Sequence, residues 1–190
     1  MSSRNEIFAA LEKVNLPQVA MPKIDVESAP HDLVEHYGEM LAKVGGTLIK
    51  VSSLDEVQAY LDKQMADNQQ VLTMVDGVQG NRQLNEVAHE LADIDLALVK
   101  AEFVVAENGA AFVRSTSTGH RVLPFIAENL AAVVSCEDVL PTMHQAAIQA
   151  EVQSGELGSF IAGPSKTADI EQALVVGAHG ACSMTVFMLG

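Results

Sequence analysis

The chain has 190 residues, of which 48% are apolar, 19% charged and 4% aromatic. That length fits one domain with an appended terminal segment, and a chain of this size buries roughly 70% of its unfolded surface, so its core needs neither disulfides nor a metal. Eleven basic residues against 25 acidic ones leave a formal charge of −14 with no basic run, which argues against a nucleic-acid reader and against a protein drawn to anionic membrane surfaces.

Residues 3–14 place Ile7, Phe8, Leu11 and Val14 at helical spacing, and Ser3 with Glu6 fits a capping box. Residues 15–30 contain three prolines and no sustained period. They read as an extended connector that lets the first helix dock on its own domain or on a partner chain. From residue 31 helices and strands alternate. Residues 32–43 form a helix with Leu33, Tyr37, Met40 and Leu41 on one face, ended by Gly45–Gly46. A strand at 47–51 and a helix at 53–66 follow, the helix with a capping box at Ser53 and Glu56. The pattern then predicts a strand at 71–75, a short helix near 84–91, and strands at 95–101, 102–106 and 110–114. No helix separates the last two, so they form a hairpin. Further on come a strand at 130–135, a helix at 139–151, a strand at 157–163, a short helix at 167–174 and a strand at 184–189.

Short apolar strands without clean alternation indicate a sheet buried on both faces, and the interleaved helices indicate parallel crossovers. The expected fold is α/β, with a mixed, mostly parallel sheet and helices on both faces. Residues 1–30 form the N-terminal helix and connector, and 31–190 the domain proper.

The N-terminus has no apolar signal region, and no stretch reaches the ~18–20 apolar residues needed to span a bilayer. A cytoplasmic location is expected. Cys136 and Cys182 lie far apart, outside any CxxC spacing, and read as buried thiols rather than a disulfide. No iron–sulfur, zinc or other metal spacing is present. His31, His36, His89, His120 and His144 form no ligand pair.

Three motifs carry chemistry. In Ala106–Gly109 the pair Asn108–Gly109 is a strong hairpin signal, read locally as a type I′ turn with Glu107 at a solvated strand end. The same turn can hold the Glu107 carboxylate at the end of a strand as nucleophile or general base. In Gly163–Pro164–Ser165–Lys166–Thr167–Ala168–Asp169, Gly and Pro shape a turn, Ser165 or Thr167 caps the helix predicted to follow, and Asp169 complements its dipole. The free N–H groups of that helix start, two hydroxyls and Lys166 equally describe an anion site. In Gly177–Ala178–His179–Gly180 glycines flank a histidine, suited either to a structural hydrogen bond or to close approach of a ligand. The loop 115–119 either lines a pocket beside Glu107 or is a plain turn.

In this order the motifs resemble the LUD domain family, in its lactate utilization protein C (LutC/YkgG) branch. The resemblance runs through AENGAAFV, His120–Arg121 with Leu123–Pro124, LAAVVS and, most specifically, FIAGPSKTADIEQALVVGAHG. It implies a fold similar to the NagB/RpiA/CoA-transferase-like group. It further implies a part in oxidising L-lactate to pyruvate beside partner proteins that carry iron–sulfur clusters, with no cofactor in this chain. Glu107 and His179 are then the candidate catalytic residues. Asn108, Gly109, Arg121, Gly163, Ser165, Lys166, Thr167, Asp169, Gly177 and Gly180 are the candidate ligand-binding ones, for a small anionic metabolite or a partner subunit. In related CoA transferases the catalytic glutamate stands in a similar Glu-Asn-Gly turn, which raises the alternative of a stand-alone acyl- or CoA-transferase with Glu107 as nucleophile. The sequence departs from the family where Asn108 replaces the usual Thr, Ala181 the usual Pro, and Met184–Thr185 the usual Leu-His.

Overall fold

The computed structural model describes residues 3–14, 19–20, 32–168 and 174–190. The predicted connector falls largely outside them, as does Asp169. The first helix, α1 (Ser3–Leu11), buries none of its residues. The next helix is α2 (Leu33–Lys43), whose N-cap Asp32 accepts from the Glu35 N–H at 3.0 Å. At its other end Gly45 takes a φ of +86°, the left-handed geometry that closes a helix. Strand β1 (Thr47–Val51) leads to α3 (Leu54–Ala66) and β2 (Val71–Thr73). After a 3-10 turn at Ala88–Leu91 come β3 (Leu96–Lys100), β4 (Phe103–Val105), β5 (Ala110–Arg114) and the short α4 (Leu123–Ile126). Next are β6 (Asn129–Ser135), β7 (Val139–Leu140), α5 (Met143–Gln149), β8 (Gly158–Ile161), β9 (Lys166–Ala168), β10 (Leu174–Val176) and β11 (Ser183–Leu189).

The central sheet has the order β1-β11-β6-β3-β2, and every pairing in it is parallel. Successive side chains of a strand point to opposite faces, and the core divides accordingly. Leu96, Leu98, Ala131, Val133 and Phe187 face Val57 and Leu61 of α3. Ala97, Val99, Leu130, Ala132, Met184 and Val186 face the other way. There they meet Tyr37 and Leu41 of α2, Leu123 of α4, and Val104, Ala106, Ala111 and Val113. Helices therefore cover both faces, as the unalternating apolar strands predict.

The hairpin β4–β5 forms as expected, but it belongs to a separate four-stranded sheet, β7-β4-β5-β8. Its inner face packs on the parallel sheet. Its outer face, with Phe103, Val105 and Phe112, packs on Ala146 of α5. Phe103, Phe112 and Phe160 form one aromatic cluster, so half of the six phenylalanines stand in this layer.

Three local expectations change. Residues 139–140 are a strand, and Pro141 separates them from α5, since its ring and missing N–H exclude it from a helix interior. Residues 166–168 and 174–176 form an antiparallel ribbon, β9 on β10, where a helix is predicted. Ser53 is the N-cap of α3 without a side-chain bond; its neighbour Ser52 instead donates its hydroxyl and its N–H to the Glu56 carboxylate.

Candidate functional site

Two of the three motifs leave the four-stranded sheet at the same end. The last paired residues of the hairpin are Val105 and Ala110, which leaves Ala106–Gly109 as a four-residue loop. Gly109 has φ +72°, and its N–H donates to the Val105 carbonyl at 3.0 Å. Asn108 does not share a positive φ, so the turn is not type I′. Its Oδ1 accepts from the Ala110 N–H at 3.0 Å instead. The pairing of β5 with β8, Ala111 opposite Ile161, continued by two residues places Gly109 beside Gly163.

Both glycines press on the last turns of α2. A Cβ on Gly109 would stand 2.6 Å from the Leu41 nitrogen; one on Gly163, whose φ is +74°, would overlap the Val44 carbonyl oxygen. The Lys166 ammonium donates to that same Val44 carbonyl. Carbonyls at the end of a helix lack intrahelical partners and carry the negative end of its dipole, so a lysine here is well placed. Sequence reasoning sets Lys166 at the positive start of a helix. The structure sets it in a ribbon, against the negative end of another helix.

The third motif joins them through the backbone. Ser165 donates its N–H to the Ala181 carbonyl at 2.8 Å and accepts from the Gly177 N–H at 2.9 Å. Gly180 faces Ser165 so closely that a Cβ there would lie 3.2 Å from the serine Cβ. Gly177 has φ +80° and covers the Cys182 sulfur. Thr167 sits on β9 opposite Val175. His179 is exposed at the loop tip and makes no hydrogen bond among the described residues.

The Glu107 carboxylate is exposed, and its Oε2 accepts from the Met143 N–H at 2.7 Å. Met143 opens α5, where a helix has unpaired N–H groups and welcomes negative charge.

Arg121 does not join this cluster. It lines a small cavity with Arg114, Ser115, Thr118, Phe125 and Ser159. That cavity lies at the start of β8, roughly 15 Å of strand away from Gly163 at ~3.3 Å per residue. The loop 115–119 likewise follows β5, at the end opposite Glu107. Beside it Arg114 forms a fork with Glu102, at 2.6 and 3.0 Å, and reaches Glu156 at 3.2 Å. These carboxylates hold the guanidinium above its ordinary pKa. Cys136 and Cys182 are both unpaired, but neither is buried: Cys136 is half-buried and Cys182 exposed.

Sequence reasoning misses the contribution of α2. The Val44 carbonyl, Leu41 and Gly45 anchor the cluster, and the only trace of this in the sequence is Gly45–Gly46, which reads as a helix stop. It also misses a cavity of about 430 Å³ at the carboxyl ends of β1, β6 and β11, lined by Lys50, Ser52, Glu56, Cys136 and Gly190 among others. Glu56 is held below the ordinary carboxylate range by the Ser52 hydroxyl and N–H, and Lys50 above its ordinary value by Glu35. Among the described residues no three His, Cys, Asp or Glu side chains cluster to hold a metal. No helix among them is long and apolar enough to cross a membrane.

A mixed α/β domain with these loops at one end of α2 defines the class, and the chain belongs to the LUD domain family, which matches residues 76–189. Among its relatives, a lactate utilization protein C from Geobacillus sp. is 27% identical over 98% of this chain and 79% of its own. Another from Oceanobacillus iheyensis is 29% identical over 55% of this chain. That match spans only 47% of the Oceanobacillus protein, and a match to the Geobacillus thermodenitrificans protein, 36% identical, spans 40% of it. The fold is that of a DUF162 family protein from Deinococcus radiodurans, with a TM-score of 0.60 at 17% identity over 83% of this chain and 96% of the other.

Proposed function

We propose that this chain is the cluster-free component of a system that oxidises L-lactate to pyruvate. One observation carries this reading. Glu107–Gly109 and Gly163–Lys166 meet on the last turns of α2, and Gly177–Gly180 joins them through the backbone of Ser165, in a chain whose relatives are named lactate utilization protein C. Glu107, Lys166 and His179 are all exposed, which suits a surface closed by a partner subunit better than an enclosed pocket. Lys166 supplies the cation for a small carboxylate. An ammonium has three donors, and the Val44 carbonyl takes one of them. His179 supplies an acid–base group at the loop tip, and Ser165 and Thr167 polar contacts beside it. Arg121, at the far end of β8, serves a separate contact. Oxidation of lactate to pyruvate releases two electrons and two protons: iron–sulfur clusters carried by partner proteins would accept the electrons, His179 would take one proton, and the other would pass to solvent water.

The test is deletion of this gene with L-lactate as sole carbon source, complemented by wild type, Lys166→Ala and His179→Ala. Growth restored by wild type and lost with either variant supports the reading; normal growth of the deletion strain overturns it. The alternative, acyl or CoA transfer through Glu107, has the Glu-Asn-Gly turn in its favour and the Met143 hydrogen bond against it. It requires a hydroxylamine-sensitive mass increase on Glu107 after exposure to acyl-CoA.

A further inference from the structure

The cavity at the carboxyl ends of the parallel strands takes no part in the function proposed above. Gly190 donates its N–H to the Val51 carbonyl at 3.1 Å, and Cys136 donates its own to the Leu189 carbonyl at 2.8 Å. The ends of β1, β11 and β6 therefore form one continuous rim. From this rim the chain leaves on opposite faces of the sheet. After β1 it runs into α3, whose Val57 and Leu61 pack with Leu98, Ala131 and Phe187. After β6 it runs to Val139 of β7, which packs with Ala132 and Val186 on the other face. Connections that diverge in this way leave a crevice outside the carboxyl ends of the strands, and open α/β sheets bind ligands there. Here the crevice measures about 430 Å³, within the range of small-molecule sites.

The groups that line it specify a ligand. Val34, Val51 and Met188 make an apolar wall. Glu56 takes the Ser52 hydroxyl and N–H on its Oε1, and an ionised carboxylate has room for about four such bonds. Those two bonds hold Glu56 below the ordinary carboxylate range, so it is ionised at neutral pH. Lys50 is paired with Glu35, and Asp32 acts on it as well. One ammonium against these three carboxylates leaves the crevice net negative, in a chain that carries −14. We infer that the crevice binds a small organic cation, a primary amine on a short apolar body, with the ammonium on Glu56 and the body on Val34, Val51 and Met188. A bond between an ammonium and a carboxylate is about twice as strong as a neutral one, and the acidic field draws a cation in. A carboxylate ligand meets Glu56, Glu35 and that same field as repulsion. This site is separate from the Lys166 and His179 loops. Cys182, next to those loops, donates its N–H to the Glu128 carbonyl just before β6, whereas Cys136 follows the other end of that strand. The seven residues of β6 put about 23 Å between the two ends at ~3.3 Å per residue.

Nuclear magnetic resonance titration of the isotope-labelled full chain with isoamylamine hydrochloride tests this. Sodium isovalerate, which carries a carboxylate on the same branched body, is the matched anion. The amine should move the amide signals of Ser52, Glu56 and Cys136, leave those of Gly177 and Cys182 in place, and give a Kd of about 1 mM or tighter. Glu56→Gln should weaken binding roughly tenfold or more, as loss of a hydrogen bond to a charged group does. Lys50→Met, at an exposed side chain, removes a repelling cation and should tighten binding about twofold or more. That gain separates a bound ammonium from a merely structural role of Glu56, and it decides the matter if Glu56→Gln disturbs the fold by circular dichroism. Amide signals of the crevice that stay fixed with the amine, equal shifts with isovalerate, or a Kd that Lys50→Met raises or leaves unchanged overturns the inference.

Discussion

Replacing Gly163 by Ala probes the joint between the Gly-Pro-Ser-Lys loop and α2. The backbone there has φ +74°, and an L-residue in the left-handed region costs about 1–2 kcal/mol. The added Cβ also overlaps the Val44 carbonyl oxygen and stands 3.1 Å from its carbon and from Val44 Cγ2. Relieving that overlap moves backbone, not a flexible side-chain end, and overpacking of this kind costs about 1–3 kcal/mol. The total is about 3 kcal/mol, or roughly 6–12 °C in Tm for a chain of this size. Gly155→Ala isolates the first contribution, because Gly155 has φ +90° and nothing within 4 Å of its Cβ position. It should lose only about 1 kcal/mol, roughly 2–4 °C. Urea melts and thermal scans of the two variants against wild type give the comparison. If Gly163→Ala loses no more than Gly155→Ala, the loop does not rest on the end of α2, and the convergence of the three motifs fails with it.

Tyr37 is fully buried, and its hydroxyl has no partner among the described residues. Tyr37→Phe should therefore stabilise the fold by about 1 kcal/mol in a urea melt. Burial also raises the Tyr37 pKa above its ordinary 10.0. Above pH 10 the unfolded chain ionises first, so wild-type stability should fall as pH rises from there, and Tyr37→Phe should flatten that slope. Glu56 runs the opposite way: its lowered pKa stabilises the fold above the ordinary value of 4.5, and that contribution disappears as pH falls through the folded value. Ser52→Ala should make acid unfolding shallower between those values; an unchanged acid limb contradicts the assigned hydrogen bonds. Glu107→Ala removes the carboxylate from the start of α5 and should cost about 0.5–1 kcal/mol, with Glu107→Gln retaining part of it.

The central sheet was legible because of how it is buried. Strands covered on both faces read as unbroken apolar runs, and 47–51, 95–101, 130–135 and 184–189 each hold a parallel strand within a residue or so of the predicted ends. The hairpin was legible from Asn108–Gly109, since Gly109 does need the left-handed region, although the turn has four residues rather than two. The ribbon was not legible. Residues 167–174 carry helix formers and a capping pattern, and a local reading follows them. The backbone clamp at Ser165, which bonds both Ala181 and Gly177, sets residues 165 and 177 side by side, and β9 and β10 pair antiparallel next to it. That clamp joins Ser165 to positions twelve and sixteen residues away and leaves no local mark.

The candidate site divides in the same way. By itself the sequence determined which residue types stand in which loops: Glu107 in a tight turn, Lys166 after Gly-Pro-Ser, and His179 between glycines. Glycine placement and turn chemistry are local, and a chain states local requirements openly. Only the tertiary structure decided what each group faces. Lys166 meets a helix carboxyl end, Glu107 caps α5, and Arg121 stands at the far end of β8, because the pairing of β5 with β8 and the seat on α2 are contacts between segments distant in the chain. Such contacts depend on packing and register, which no spacing along the sequence records.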